Sequence, residues 1–179
     1  MDLDAFARPW SGHAFRHIPA GSPHGVLDFR FAGRAADNRW NQPGEPTLYL
    51  ASDRAVALAE FARHFREERS LQLGQGAVER AVFRLSITVD ALIDLSDSKV
   101  QHALPLKNAP RCFLDKQLAR ATANFLRHTT AAQALRVPSM AFLDARDRWI
   151  LVLFLEKLPA EQQRFITAVE ASGTFRVGS

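Results

Sequence analysis

The sequence has 179 residues, of which 47% are hydrophobic and 23% are charged, a balance typical of a globular chain with a hydrophobic core. Its longest apolar run, "WILVLFL", is much shorter than the roughly 18 residues that cross a bilayer, so we expect no membrane segment. The stretch "MDLDAFARPW" contains two acids and no apolar run, which argues against a secretory signal. We therefore expect a single domain over residues 1–179.

Charge and cysteine content narrow the function classes further. The net charge is +4, but the 23 lysines and arginines are spread along the chain without a block of five, so direct nucleic-acid binding is not expected. The single cysteine, Cys112, cannot form an internal disulfide, and a cytoplasmic location is the expectation. The six histidines lack metal-ligand spacing, so no metal is expected. A basic balance remains compatible with an anionic small ligand or an acidic protein partner.

In chain order, the first predicted element is a short strand at residues 13–20, which is followed by a loop rich in turn-forming residues. Residues 42–46, "QPGEP", predict a tight turn, because proline presets its own backbone angle and glycine accepts a positive φ. Residues 47–51, "TLYLA", then predict a second short strand.

A helix is predicted to begin at Ser52 and Asp53, which suit a helix N-terminus, and to run to about Arg69. Apolar residues spaced by three and four predict the side of this helix that faces the core. They are Ala55, Leu58, Ala62 and Phe65. Residues 79–89 alternate between apolar and polar side chains and predict a strand, and "LIDLSD" after them predicts a short extended piece.

A second helix is predicted over residues 114–135. Its core-facing side would be formed by four apolar residues at helical spacing. They are Leu114, Leu118, Ala121 and Phe125. Residues 137–143 and 149–156 predict a pair of strands, whereas residues 165–177 fit a helix or a strand. The elements together predict an α+β fold, in which strands from both halves of the chain surround few helices.

Three residues around the predicted turn are candidates for function, and each also has a purely structural interpretation. Glu60 lies on the first helix and fits a solvated charge paired with Arg63 or His64. Arg39 precedes a tryptophan and fits a stacked surface pair. Tyr49 fits a core position in a strand, provided that its hydroxyl finds a partner. The residue pattern alone leaves both interpretations open.

Four stretches of the sequence, taken in their order, resemble the RES domain family, which is named for its arginine, glutamate and serine. They are "FRHIP", "NRWNQPGEPTLYLASDRAVALAEF", "IDLSD" and "VPSMAF". The resemblance spans roughly residues 13–155 and is most specific in the second stretch. It implies an α+β domain with an ADP-ribosyltransferase-like fold, in which a mixed β core carries a few flanking helices.

The resemblance also implies a function. RES proteins are toxins of type II toxin–antitoxin systems, so it implies an enzyme that cleaves NAD+ at the nicotinamide–ribose bond, by hydrolysis or phosphorolysis. Depletion of cellular NAD+ would then arrest growth. The implied partner is an Xre-like antitoxin that occludes the active site, and NAD+ is the implied substrate. Two alternatives remain: a mono-ADP-ribosyltransferase that modifies a cellular protein and, ranked well below, a non-enzymatic basic binding module.

Position by position, the resemblance assigns Arg16 and Arg39 to the two arginines near the dinucleotide. Guanidinium groups suit a pyrophosphate because they are always charged and can donate two parallel hydrogen bonds. His17 follows the first arginine, where a tyrosine is common, and is assigned to NAD+ binding. Asn38 stands where a glycine usually precedes the second arginine, so these last two residues depart from the family pattern.

The remaining assigned residues would act at the nicotinamide–ribose bond. Tyr49 would pack on the nicotinamide or its ribose, and Glu60 would hold a ribose hydroxyl and stabilise developing positive charge. Ser139 would donate a hydrogen bond that fixes either the nicotinamide ribose or Glu60. The turn at residues 42–46 would bring the predicted catalytic residues together. These are Glu60, Tyr49 and Arg39, and the predicted NAD+-binding residues are Arg16, His17, Arg39, Tyr49 and Ser139.

Overall fold

The computed structural model describes residues 2–69 and 77–178, and the side chains of residues 65–69 lie outside that description. Within these limits the chain forms six strands and three α-helices, which confirms the predicted α+β class. None of the described helices is long and apolar enough to cross a membrane. The elements are β1 (Arg8–Pro19), β2 (Thr47–Ala51), α1 (Arg54–Arg69), β3 (Val78–Asp94), α2 (Ser98–Ala103), α3 (Lys116–Thr129), β4 (Ala134–Pro138), β5 (Trp149–Phe154) and β6 (Ile166–Val177).

The strands form one sheet that closes on itself. Its order is β1-β2-β5-β4-β3-β6, and β1 also pairs with β3, so five strands form a ring and β6 lies outside it along β3. All pairs are antiparallel except β3 with β4. β3 is long enough to pair with three neighbours along its length, and it therefore joins the ring to the outer strand.

Alternating strand residues divide between two hydrophobic clusters, as the two-residue period of a strand requires. Leu48 and Leu50 of β2 belong to one cluster, whereas Tyr49 between them packs against the other. On β5, Leu153 belongs to the first cluster and Phe154 to the second. The second cluster also contains the buried side of α3, so Tyr49 points to the side of the sheet that α3 covers.

Several predicted elements are confirmed with small changes. The strand at residues 47–51 and the helix that ends at Arg69 lie where the sequence predicts them. β1 begins at Arg8, five residues earlier than the predicted start, because it pairs with β3 from Arg80 to Leu92. β3 continues to Asp94 and includes the first half of the predicted extended piece, whereas residues 95–97 form a turn. The ambiguous last segment is β6, which pairs with β3.

The second predicted helix is too long at both ends. α3 starts at Lys116, where the Asp115 side chain accepts hydrogen bonds from the backbone N–H groups that begin the helix. It ends at Thr129, and β4 starts at residue 134, three residues earlier than the predicted strand. β4 forms there because it fills the space between β3 and β5. Sheet pairing therefore overrides the local helical pattern at this position.

The buried side of α3 is also not the predicted one. Leu114, Leu118 and Phe125 are 50%, 37% and 47% exposed, and Ala121 is exposed as well. Three small side chains that allow close packing, one leucine and one charged residue form the side that faces the sheet. The buried residues are Ala119, Thr122, Ala123, Leu126 and Arg127.

α1 differs from its predicted packing in a similar way. Ala55, a predicted core position, is exposed, whereas Val56 and Ala57 are buried. The side chain of Phe65, another predicted core position, lies outside the described residues, and the two others are partly buried. Because side chains three and four positions apart share a helix side, the buried pair places Glu60 on the inner side of α1.

Candidate active site

Glu60 is held by two hydrogen bonds from the segment that follows β4. The Ser139 hydroxyl donates to Glu60 Oε1 at 2.6 Å, and the backbone N–H of Ala141 donates to the same oxygen at 2.9 Å. Ser139 is fully buried, directly after the last residue of β4. Within the described part of the chain, Oε2 accepts no such bond, so it is the oxygen that can meet a ligand. Glu60 is therefore an oriented carboxylate and not a freely solvated helix charge.

Two adjoining cavities lie beside this carboxylate. Their volumes are about 280 Å³ and about 320 Å³, each near the lower end of the range for small-molecule sites. Five residues line both cavities, so the two spaces share a wall. The shared residues are His17, Asn38, Tyr49, Glu60 and Ile150.

The two candidate arginines belong to different cavities. Arg16 lines the first cavity, whereas Arg39 lines the second together with Tyr49 and Glu60. Arg16 donates through Nη1 to the Val26 carbonyl and through Nη2 to the Asp28 carbonyl at 3.3 Å. Burial lowers the pKa of Arg16 to about 10, which still leaves it charged at neutral pH.

Arg39 fastens the loop before β2 to the segment before α3. Its side chain is 9% exposed, and Nη1 donates to the carbonyls of Phe113 and Leu114 at 2.7 and 3.0 Å. Arg120 of α3 reinforces the same attachment by donating to the Asn38 carbonyl. These bonds hold the loop at residues 36–41 against α3, and with it the wall of the second cavity.

Tyr49 is fixed at its hydroxyl end. The hydroxyl donates to Asn41 Oδ1 at 2.6 Å and accepts from the backbone N–H of Trp40 at 3.2 Å. Burial raises the pKa of Tyr49 above its ordinary value, so the phenol is neutral in the physiological range. Asn41 is fully buried and also donates to the carbonyl of Gly33 at 2.9 Å. Sequence reasoning did not single out Asn41, although it lies inside the most specific stretch of the family pattern.

Gly33 makes the loop over the first cavity possible. It has a φ of +78°, and a Cβ atom at this position would lie 1.8 Å from the backbone oxygen of Glu45. Its carbonyl accepts the backbone N–H of Gly44 at 3.2 Å, which ties the loop to the turn at residues 42–46. Glycine in a polar loop is a visible turn signal, but this close approach depends on the tertiary structure.

His17 lies between the cavities and has a partner that sequence reasoning missed. Arg80 of β3 approaches His17 Nδ1 with Nε at 3.1 Å and Nη2 at 2.9 Å. Burial and the neighbouring guanidinium groups of Arg80 and Arg16 lower the pKa of His17 to about 3. The sequence gives no indication that residues 17 and 80 are close, because their proximity comes from the register of β1 against β3.

The structure brings the six candidate residues to one region, but some of them line the cavities and Ser139 contacts Glu60 instead. Glu60 and Ser139 touch directly, and Ser139 reaches the site through Glu60. Tyr49 and His17 line both cavities. Of the two contacts predicted for Ser139, the structure shows the one with Glu60. Among the described residues, no group of three or more histidine, cysteine, aspartate or glutamate side chains is arranged to hold a metal ion.

Comparison with known proteins identifies the family. The family model for the RES domain matches residues 10–174. The chain belongs to the RES domain family. The RES match includes all six candidate residues, which lie between Arg16 and Ser139. A search of curated proteins finds no match.

A solved structure supports the fold of this RES domain. A chain in the crystal structure of the M. tuberculosis MbcT–MbcA toxin–antitoxin complex aligns with a TM-score of 0.61 at 19% identity. The alignment covers 96% of the present chain and 87% of the other. At this level of identity the similarity establishes a shared fold.

Proposed function

We propose that this RES-domain protein is the toxin of a toxin–antitoxin pair and that it cleaves NAD+ at the nicotinamide–ribose bond. The observation that supports the proposal best is the carboxylate of Glu60. Its Oε1 is held by Ser139 and by the backbone of Ala141, next to two adjoining cavities. An oriented carboxylate beside an elongated space fits a reaction that creates positive charge within a long ligand.

The chemistry requires little covalent assistance from the protein. When the bond between ribose C1″ and the nicotinamide nitrogen breaks, its electron pair passes to that nitrogen and neutralises the pyridinium. The ribose then carries positive charge. The fixed carboxylate of Glu60 stabilises this charge more strongly than it stabilises the substrate, which is the requirement for lowering the barrier. Ser139 and Ala141 keep the carboxylate in position as the charge develops.

The arginines at the two cavities support binding of a doubly charged pyrophosphate. A guanidinium group has five N–H donors, and the bonds from Arg16 to Val26 and Asp28 involve only its two terminal nitrogens. Arg39 contributes positive charge to the second cavity. Tyr49 is neutral and fixed by Asn41, so its ring offers a rigid apolar surface that excludes water from the bond that breaks.

The acceptor determines the product. With water, NAD+ becomes nicotinamide, ADP-ribose and a proton. With inorganic phosphate, a phosphate oxygen takes the place of the water oxygen and the product is ADP-ribose 1″-phosphate. With a protein side chain, the ADP-ribose group remains on that protein, as the alternative transferase function requires. The three outcomes release the same nicotinamide and differ only in the fate of ADP-ribose.

The test is to incubate the purified chain with NAD+, with and without phosphate, and to quantify nicotinamide and the ADP-ribose product by chromatography. Glu60→Gln keeps the size of the side chain but removes its charge, and we expect it to lower kcat by about 100-fold or more. Glu161→Gln is the matched control, because Glu161 forms an exposed ion pair with Arg164. NAD+ that stays intact with wild-type protein would contradict the proposal, as would full activity of Glu60→Gln.

We further propose that a cognate Xre-like antitoxin occludes these cavities. The net charge of +4 favours an acidic partner segment, and the similar solved chain comes from a toxin–antitoxin complex. Addition of the purified antitoxin should abolish nicotinamide release, and co-expression should restore growth. Unchanged turnover in the presence of a bound partner would contradict occlusion.

A further inference from the structure

The side chains of His17 on β1 and Arg80 on β3 form a hydrogen-bonded pair, and this pair determines which ring nitrogen of His17 carries the proton. Arg80 Nε and Nη2 lie 3.1 and 2.9 Å from His17 Nδ1. Arginine has donors only, so Nδ1 must be the acceptor of these hydrogen bonds. A neutral imidazole that accepts at Nδ1 carries its proton on Nε2. The geometry therefore specifies one of the two tautomers.

Strand register and an aromatic ring keep the pair together. His17 is paired with Val82 across the antiparallel strands, so Arg80, two residues from Val82, projects from the same side of the sheet. Phe61 of α1 packs against both members. Its ring centre lies 5.0 Å from that of His17, and the Arg80 guanidinium lies 4.4 Å from the same ring centre. Arg80 is thus restrained by a contact on its face as well as by its bonds to the imidazole.

The surroundings favour the neutral form of His17. A protonated imidazole would need a second proton on Nδ1, where the Arg80 donors already point. Burial and the nearby guanidinium charges act in the same direction and lower the pKa of His17 to about 3. At neutral pH the side chain consequently offers an N–H donor without a charge. It does so from the wall that the two cavities share.

We propose that Arg80 is a positioning residue, which holds His17 in the tautomer protonated at Nε2 so that this N–H donates to an oxygen of the bound dinucleotide. The identity of the ligand rests on the proposed function, whereas the tautomer does not. A neutral donor at this point orients a ribose or pyrophosphate oxygen without adding a cation near the positive charge that develops on the ribose.

The first test reads the tautomer directly and needs no enzymatic activity. Two-bond ¹H–¹⁵N spectra of protein labelled in its histidine rings separate a protonated ring nitrogen from an unprotonated one, and His17→Gln assigns the signals. We expect an unprotonated Nδ1 and a protonated Nε2 in the wild type. Arg80→Met should produce a mixture of tautomers, and Arg80→Lys, which retains a donor, should restore the wild-type pattern. A protonated Nδ1 in the wild type, or an unchanged pattern in Arg80→Met, would overturn the proposal.

The second test concerns the donated hydrogen bond. Addition of ADP-ribose should shift the His17 Nε2 signal in the wild type and should shift it less in Arg80→Met. For NAD+ cleavage we expect Arg80→Met to lower kcat/KM by about tenfold, the effect of one hydrogen bond. Arg84→Met is the matched control, because Arg84 lies on the same strand and pairs with Glu170 at the surface. Wild-type kinetics in Arg80→Met, or an Nε2 signal that ignores ADP-ribose, would refute the positioning role.

The two proposals fail in different ways. If the wild type does not cleave NAD+ but the spectra show the expected tautomer and its loss in Arg80→Met, the proposed reaction is wrong and the tautomer assignment stands. If NAD+ is cleaved while the spectra show the other tautomer, the reaction stands and the role of Arg80 is refuted.

Discussion

The orientation of the Glu60 carboxylate depends on residues that are distant in the sequence. Its two hydrogen-bond donors come from residues 79 and 81 positions later in the sequence. Both donors meet one carboxylate oxygen, and no hydrogen bond from the described residues reaches the other, which leaves that oxygen for a ligand. The helix supplies the carboxylate, and the segment after β4 determines which oxygen is hydrogen-bonded by the protein.

Ser139→Ala tests the importance of that orientation. Removal of the hydroxyl leaves Ala141 as the one donor to Glu60 Oε1 among the described residues. We expect kcat/KM for nicotinamide release to fall by about ten- to hundredfold, which corresponds to the loss of about 1–3 kcal/mol. Ser11→Ala is the control, since the Ser11 hydroxyl bonds Thr88 on the exposed surface. Equal activities of the two variants would show that Ser139 does not act through Glu60.

The pH dependence of stability provides a second prediction at this scale. Burial and nearby guanidinium groups lower the pKa of His17 to about 3, against 6.5 for an unperturbed histidine. Because the folded-state pKa is depressed, the stabilisation is complete above the unfolded value and is lost as the pH falls toward 3. Between pH 7 and 5 we expect this one group to reduce the free energy of unfolding by about 1–2 kcal/mol.

His17→Gln should flatten this pH dependence, because the variant has no group that titrates at this position. Urea denaturation at pH 7 and pH 5 measures the difference. His102→Gln, at an exposed histidine of α2, should retain the wild-type slope. An identical slope in wild type and His17→Gln would mean that the imidazole titrates normally in the folded protein.

At the scale of elements, α3 shows that hydrophobic periodicity does not always identify the buried side of a helix. Its larger apolar residues, Leu118 and Phe125, lie at the exposed surface, while two alanines and a leucine face the sheet. Alanines allow the helix to approach the sheet closely, and a leucine fills the remaining space. Two apolar stripes therefore competed in the sequence, and the one with smaller side chains is buried.

A pair of neighbouring substitutions tests this assignment. Leu126 is fully buried and Phe125 is 47% exposed, although the two residues are adjacent. We expect Leu126→Ala to lower the free energy of unfolding by about 2–5 kcal/mol, the range for a buried leucine. Phe125→Ala should cost less than about 1 kcal/mol, because little of its contact area lies in the core. Chemical denaturation of both variants measures the difference, and a larger loss for Phe125→Ala would reverse the assignment.

At the scale of the whole molecule, one buried arginine links elements that are far apart in the chain. The Arg127 side chain is 3% exposed and lies on α3. It forms ion pairs with Glu45 at 2.8 Å and Glu156 at 2.7 Å, and it donates to the Thr47 hydroxyl at 2.9 Å. The turn before β2, the start of β2 and the segment that follows β5 are thereby joined to one helix. The wall of the candidate active site depends on this attachment, since β2 carries Tyr49.

Arg127→Met measures the strength of this link. The variant leaves Glu45 and Glu156 without their shared cation. Because these carboxylates are 21% and 39% exposed, we expect the free energy of unfolding to fall by about 1.5–3 kcal/mol, the range for hydrogen bonds to charged groups. Arg164→Met, which removes an exposed ion pair with Glu161, should change stability by less than about 1 kcal/mol. Similar losses in both variants would show that burial does not strengthen the Arg127 pairs.

The sequence by itself determined the elements whose signals are local. The turn "QPGEP", the strand after it and the helix from residue 54 depend on proline, glycine, β-branched residues and helix-starting residues, all within about 30 residues. The ordered family motifs pointed to the RES family, which the family model confirms, and they predicted that Glu60, Tyr49 and Ser139 share one site. These conclusions needed no knowledge of which strand pairs with which.

The tertiary structure decided what depends on pairing. The start of β4, the buried side of α3 and the tautomer of His17 follow from the register of strands and from partners such as Arg80 that lie far away in the sequence. The same holds for Asn41, whose role appears only when Tyr49 meets it. Hydrogen bonds, ion pairs and close packing act over a few ångströms in space, whereas sequence periodicity relates only residues that are close along the chain. The contacts that support the site could therefore be identified only from the tertiary structure.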